Sequence, residues 1–409
     1  MDPNLEEFNT LMMNKNPEKA ESILHAINVF LRPNSAIEIV RDHMNGGRYV
    51  LRKMRVEGKH VPDEVISEIL SWIPAKTLHG IMRYVCKTWA KEICNSSFVE
   101  NHLKRSKPGL LLQNETSKST RFLEIRENGD FEFTNMNPRP SNDNYNNLGT
   151  IISSCDGVIM YFGPFWTTIC VTNPIVMDVT HVPRHFHHRA RAEPSYAIAR
   201  VSHSGEFKIV CGQIIEKTNE THWYILTVGI FDSWRDIGCV ISCSGALEVM
   251  KPICVGDLIY WSGNAYPSIH KDVIVTDVAK EIAFGIQLPM KFMQSNFVKI
   301  GNLFASLTFQ DGYCYDIHVL KDVHSDSVKW EFYQTVVLCS PNDYNEEWQR
   351  ANFIACIGQE LIFDFLPLYL KPRPRKYYAY NLKTRQVRCI TANETAHLHT
   401  NSLVSWRRP

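Results

Sequence analysis

Apolar positions along the chain follow two different periods. Up to about residue 108 they recur at helical spacing. Asn16-Pro17 is an N-cap followed by a first-turn proline, and Ala20, Ile23, Leu24, Ile27 and Leu31 line one face behind it. That face predicts a helix packed on its neighbours rather than hanging in water. A second helix is predicted from about Ser35 through Ile37 and Val40 to Met44, stopped by Asn45-Gly46-Gly47. Residues 1–60 therefore read as a helical extension, closing on a basic stretch of Arg48, Arg52, Lys53, Arg55 and Lys59. That stretch fits a solvated face or linker, or else a nuclear-import or phosphate-binding patch. In residues 61–105, Val65, Ile66, Ile69, Leu70 and Ile73 form one helical stripe ended by Pro74, and Ile81, Val85, Trp89 and Ile93 form another. A unit of 45 residues is too short to bury both stripes alone. It packs on another domain, or it offers an apolar face to another protein.

From Gly109 the period changes to two, and short apolar runs alternate with Gly, Asn, Asp and Pro turns. Phe122–Ile125 leads through Asn128-Gly129 into Phe131–Phe133, a hairpin on an N-G turn. Further hairpins fall near Asn173, Asp232, Asp277, Asp326 and Asn381, and three of them (Asn173, Asp277, Asn381) are spaced 104 residues apart, twice over. An offset series places a glycine before an apolar strand at Gly157, Gly205, Gly256, Gly301 and Gly358. Four-stranded units of about 50 residues are the signature of a propeller blade, in the kelch range. Residues 109–409 hold six. The fold class is thus α+β as a chain: an all-α N-terminal region, then an all-β domain read as a closed six-bladed kelch-like β-propeller. An irregular pair of β-sandwiches is the competing architecture.

Composition narrows the setting. Forty-four basic against 43 acidic side chains leave a net charge of +1, so chain-wide attraction to nucleic acid is not expected. The longest apolar runs fall far short of a membrane span, and the acidic opening MDPNLEEFNT has no signal-peptide character. The expected setting is soluble and intracellular, cytoplasmic and/or nuclear. Most of the 12 cysteines sit in apolar runs, as reduced core thiols do. Cys239 and Cys243 are spaced C-x3-C with no second pair or nearby histidine to complete a zinc set, so neither metal nor other cofactor is expected.

Residues 61–105 carry a specific word. Val61-Pro62-Asp63-Glu64-Val65, Ile69–Leu78 and Val85-Cys86-Lys87-Thr88-Trp89, trailed by Ser97-Phe98 and His102-Leu103, together resemble an F-box. Downstream, Ser154–Val158, Val171–Pro174, Phe231–Arg235 and Gly256–Trp261 are similar to features of the large plant group that joins an F-box to an F-box-associated domain. Three departures stand out: Val61 in place of leucine, one inserted residue near Gly80, and the long extension before the F-box. The resemblance implies a substrate-recognition subunit of an SCF-type ubiquitin ligase, without catalytic residues. Its F-box would bind a Skp-family adaptor, and through it a cullin and a RING protein, while the β domain would hold an unknown protein substrate for ubiquitination.

Helix-in-groove recognition needs apolar anchors at helical spacing. Val61, Pro62, Ile66, Ile69, Leu70, Ile73, Pro74, Leu78 and Val85 are the expected adaptor contacts, with Val65 and Trp89 assigned to the F-box's own core. The conspicuous β-domain loop holds His181, Arg184, His185, His187, His188, Arg189 and Arg191. It reads as a solvated blade loop or a substrate contact, and weakly as a metal site, since H-x-H-H sits in no regular element. Loops 341–350 and 367–376 are also long enough to meet a partner. No G-x-S-x-G, H-E-x-x-H or glycine-rich phosphate loop occurs. The competing function is a non-degradative binding module, a lectin-like or scaffold propeller.

Overall fold

A computed structural model describes residues 37–42, 48–53, 63–126, 130–136, 149–163, 168–185, 193–215, 220–230, 233–241, 250–263, 272–292, 295–310, 313–323, 328–338, 348–367, 376–390 and 392–407. The chain divides into two compact units: one of the residues up to Ser106 together with Asn401–Leu403, the other of Lys107–Thr400 and the residues from Val404 on.

The first unit opens with a correction. Ile37–Asp42 and Arg48–Lys53 are strands β1 and β2, paired antiparallel with Asp42 opposite Arg48, where a helix was expected. Six residues with Ile37, Ile39 and Val40 satisfy either period, and Asn45-Gly46 is as good a hairpin word as a helix stop. The helix expected over residues 17–31 and the basic positions Arg55 and Lys59 lie outside the described residues.

Four short helices follow: α1 (Asp63–Ser71), α2 (Ala75–Gly80), α3 (Lys87–Ile93) and α4 (Ser96–Arg105). Pro74, extended at φ −54° and ψ 140°, starts α2, and its carbonyl accepts the Thr77 and Leu78 N–H groups. Gly80 ends that helix, and Met82–Tyr84 add one 3₁₀ turn, so the inserted residue is absorbed between two helices. The outward residue of that turn is Tyr84, while Met82 is buried. Cys86 caps α3 by accepting the Trp89 N–H on its thiol, and Asn95 caps α4 by accepting the Ser97 N–H at 2.9 Å. His102 reaches from α4 to the Ile73 carbonyl at 2.8 Å and so fixes the end of α1. Burial lowers its pKa against the opposing pull of that bond, which suits a neutral ring whose Nε2–H donates.

The second unit is a six-bladed, all-antiparallel β-propeller. Blade one takes Thr395–Thr400 as its innermost strand, followed by Pro108–Gln113, Thr120–Ile125 and Phe131–Met136. Blades two to six each use four consecutive strands and open with Ile151–Cys155, Ser195–Arg200, Met250–Val255, Asn296–Ile300 and Trp348–Ile357. Each innermost strand neighbours the next, and blade six adjoins blade one, so the ring closes.

The two series seen in the sequence are the two tight turns of a blade. The five glycines turn strand one into strand two at positive φ, from 57° at Gly301 to 88° at Gly157. The 104-residue series is one turn used three times between strands three and four. Asn173, Asp277 and Asn381 each accept backbone N–H bonds two or three residues on, and the residue four on (Met177, Glu281, Arg385) is left-handed at φ 57–61°. Blade one lacks the glycine because its first two strands, Thr395–Thr400 and Pro108–Gln113, are not consecutive in the chain.

Blades pack face to face, which buries both sides of their middle strands. Phe207–Ile214 is buried along nearly its whole length, and Trp223 of blade three meets Trp261 of blade four at 4.8 Å between centroids. Outermost strands are far less buried, as in Lys329–Val337, where Phe332, Tyr333 and Val337 are exposed. Among the described residues, no helix is long and apolar enough to cross a membrane.

Candidate functional site

On the helical unit, helix geometry sorts the apolar residues onto two adjacent faces of α1. Leu70 and Ile73 are buried, as is Leu78 of α2, so these three expected adaptor contacts are closed to an incoming partner. Ile66, Val85 and Trp89 are half-buried, Pro74 is exposed, and Val61 and Pro62 lie outside the described residues. The open face is Val65, Ile69 and Trp72, at spacings of four and three, exposed by 45%, 42% and 71%. Val65 therefore leaves the core to which it was assigned. The stripe read from the sequence ran across both faces: Ile69 is open, while Leu70 and Ile73 turn inward.

Trp72 and Tyr84, both exposed, were not among the contacts read from the sequence. Trp72 is held in place: its indole Nε1–H donates to Glu68 Oε1 at 3.1 Å, and the Arg105 guanidinium lies 4.7 Å from the ring centroid. Arg105 also pairs with Glu68 at 3.0 Å and bonds Ser71 Oγ. The Arg105 hydrogen bond, then the Trp72 one, holds the Glu68 carboxyl below its ordinary pKa. Such pre-positioning reduces the rotamer entropy lost when a tryptophan enters a partner's pocket.

On the propeller, the two ends of the blades differ. Connections between strands one and two, and between three and four, lie at one end, and none is longer than the run between Thr227 and Arg235. The opposite end carries the runs between Met136 and Ile151, Pro183 and Ser195, Val337 and Trp348, and Pro367 and Tyr377. All three loops singled out in the sequence belong to that end. His185 is anchored there: its ring lies 3.8 Å from Tyr224, and its carbonyl accepts the Tyr196 hydroxyl at 2.7 Å. Arg184 sits 4.9 Å over Phe162 and pairs with Glu193, while the Trp234 indole donates to the Pro183 carbonyl at 3.0 Å. Burial raises the Tyr196 pKa, which keeps its hydroxyl a donor. His187, His188, Arg189 and Arg191 lie outside the described residues.

A family model for the F-box-associated beta propeller domain matches residues 110–405. The chain belongs to that family. A second model, the F-box domain, matches residues 59–101 and so covers α1 to α3 and half of α4 of this F-box protein. F-box domains generally bind Skp-family adaptors in SCF complexes, and F-box-associated domains are typical of non-catalytic subunits. No curated protein matches the F-box protein's sequence. Among solved structures it is similar to SapL1 lectin in complex with alpha methyl fucoside, at 10% identity over 70% of this chain and 96% of that one, with a TM-score of 0.36. The β-propeller domain of the Trilobed protease from Pyrococcus furiosus, described as having an open velcro topology, is 12% identical over 70% and 71%, with a TM-score of 0.32. The Myceliophteria thermophila Cps50 (Swd1) β-propeller is 8% identical over 71% and 88%, at 0.35. Likenesses this distant carry no argument about what the F-box protein binds.

Proposed function

We propose that this F-box protein is the substrate-recognition subunit of an SCF-type ubiquitin ligase, working in the cytoplasm, the nucleus or both. Residues 61–105 dock a Skp-family adaptor, which brings the cullin and RING protein. The β domain, residues 109–409, holds the protein to be ubiquitinated. One observation carries the reading: an F-box match over a helical unit that keeps Val65, Ile69 and Trp72 on its outside. Large apolar groups clustered on one short helix are stabilised by covering them, and a groove in an adaptor does so. Of the contacts expected from the sequence, the accessible Ile66, Ile69, Pro74 and Val85 are kept, joined by Val65, Trp72 and Tyr84.

Substrate capture is assigned to the long-connection end, where His185 and Arg184 stand on a fixed aromatic base. Catalysis is then by proximity: the receptor raises the local concentration of its target beside the transferring enzyme and makes no bond itself. The test is affinity purification of the full chain. An adaptor and a cullin should come down with it, and proteasome inhibition should increase the yield of ubiquitinated proteins bound to the propeller. A chain that captures neither adaptor nor cullin, but is retained on a glycan column, would be a lectin-like module instead.

A further inference from the structure

Blade three holds a side-chain cluster that its sequence conceals. Glu220 and His222 lie two apart at the start of its third strand (Glu220–Thr227), so they share a face. Cys239, on the outermost strand (Arg235–Ile241), is the cross-strand partner of His222. The Glu220 carboxylate, the His222 imidazole and the Cys239 thiol bring their ligand atoms within 4.8 Å of one another, and Glu220 Oε2 stands 3.6 Å from His222 Nε2. We infer that these three side chains form a binding site for one zinc ion.

The backbone is shaped to bring them together. Tyr224 pairs with Asp236, but Trp223 pairs with Gly238, so Ile237 is an extra residue, a β-bulge. Gly238 accommodates it at φ +108°, and its N–H donates to Asp236 Oδ1 at 2.7 Å. A ladder without the bulge would set Cys239 opposite Thr221, on the other face of the sheet and away from His222. The one-residue insertion is what completes the cluster.

The donor set selects the metal. A thiolate, an imidazole and a carboxylate together suit zinc better than magnesium or calcium, which take oxygen ligands. Zinc bonds of about 2.0 to 2.3 Å in a tetrahedron put ligand atoms roughly 3.3 to 3.8 Å apart. The glutamate–histidine pair is already within that range. Rotation of the exposed Cys239 side chain closes the rest. On binding, the thiol gives its proton to solvent, the neutral imidazole coordinates through Nε2, and water takes the fourth position. The ion ties the outermost strand of the blade to its neighbour, clipping an open sheet edge at the long-connection end.

The test uses the full chain, stripped with a chelator and titrated with zinc, then with cobalt as a spectroscopic probe. One equivalent of zinc should bind and raise the melting temperature, and cobalt should give a thiolate-to-metal charge-transfer band. Cys239→Ser should remove the band, and His222→Gln should weaken zinc binding by at least about tenfold, since even outer-shell losses cost that much. The double variant Cys239→Ser, Val240→Cys keeps a thiol on the strand but turns it to the other face, and it should bind no better than Cys239→Ser. Circular dichroism confirms that each variant keeps its β content. Substoichiometric binding, a band that survives Cys239→Ser, or a double variant that binds like the parent overturns the inference.

Discussion

Trp72 and Trp223 are the same side chain in opposite settings. Trp72 stands 71% exposed on the helical unit, while Trp223 is 0% exposed between blades three and four. The difference follows from size and closure. A ring of six sheets gives every middle strand a neighbour on both faces, so the propeller can bury aromatic side chains as large as Trp223, Trp261 and Phe207. Four helices of six to ten residues have no such supply of neighbours. They bury Leu70, Ile73, Leu78, Met82 and Phe98 and leave a second apolar face uncovered. On the middle strands of the propeller, then, a large apolar residue reports on stability. In the helical unit, its meaning depends on which side of a single helix it occupies.

The sharpest way to break that contrast is Trp223→Ala. It should destabilise the propeller by about 3 to 5 kcal/mol, the usual loss for an aromatic core side chain, read as a fall in denaturation midpoint. A change below about 1 kcal/mol would mean the blade interface is loose enough to refill the space, contrary to the burial described. The contrast within α1 comes next. Ile73→Ala should cost the helical unit about 2 to 4 kcal/mol of stability. Ile69→Asp, four residues earlier, should leave its melting unchanged yet lower adaptor affinity by about 2 kcal/mol, some 30-fold in calorimetry. Equal effects of the two on stability would erase the division between the faces.

The smallest effect concerns pH. Burial depresses the pKa of His102 below its ordinary 6.5, so the unfolded chain takes up a proton more readily than the folded one. Its share of stability is therefore complete above about pH 6.5 and is lost as the pH falls through the folded-state value. Helical-unit melting followed from pH 7.5 to 5 should decline on that account, and His102→Gln should flatten the decline. A decline of the same slope in the variant would assign the effect to other groups.

Much of the propeller was legible in the sequence because its turns are local. An Asx residue with a left-handed position four residues on, or a glycine between two strands, announces itself within a few positions. What could not be read was pairing at a distance. Nothing near Pro108 says that its neighbour is Thr400, and nothing near Cys239 says that His222 lies opposite, because a single bulge residue decides it. The helical unit was legible as a motif but not as a surface. Ile69 and Leu70 are adjacent, both apolar, and on different sides, so composition alone cannot choose between them. Over Ile37–Asp42 the pattern was too short to separate a strand from a helix.

Closing the ring with Thr395–Thr400 also sets a timetable. The ribosome makes Pro108–Gln113 first and its partner strand about 285 residues later. At 5 to 20 residues per second, that is a wait of roughly 15 to 60 seconds. Throughout that interval the F-box is already complete, while blade one holds three strands and an unsatisfied inner edge. The nascent chain thus spends its synthesis as a finished F-box attached to an open, adhesive arc, and only the strand Thr395–Thr400 turns that arc into a finished ring.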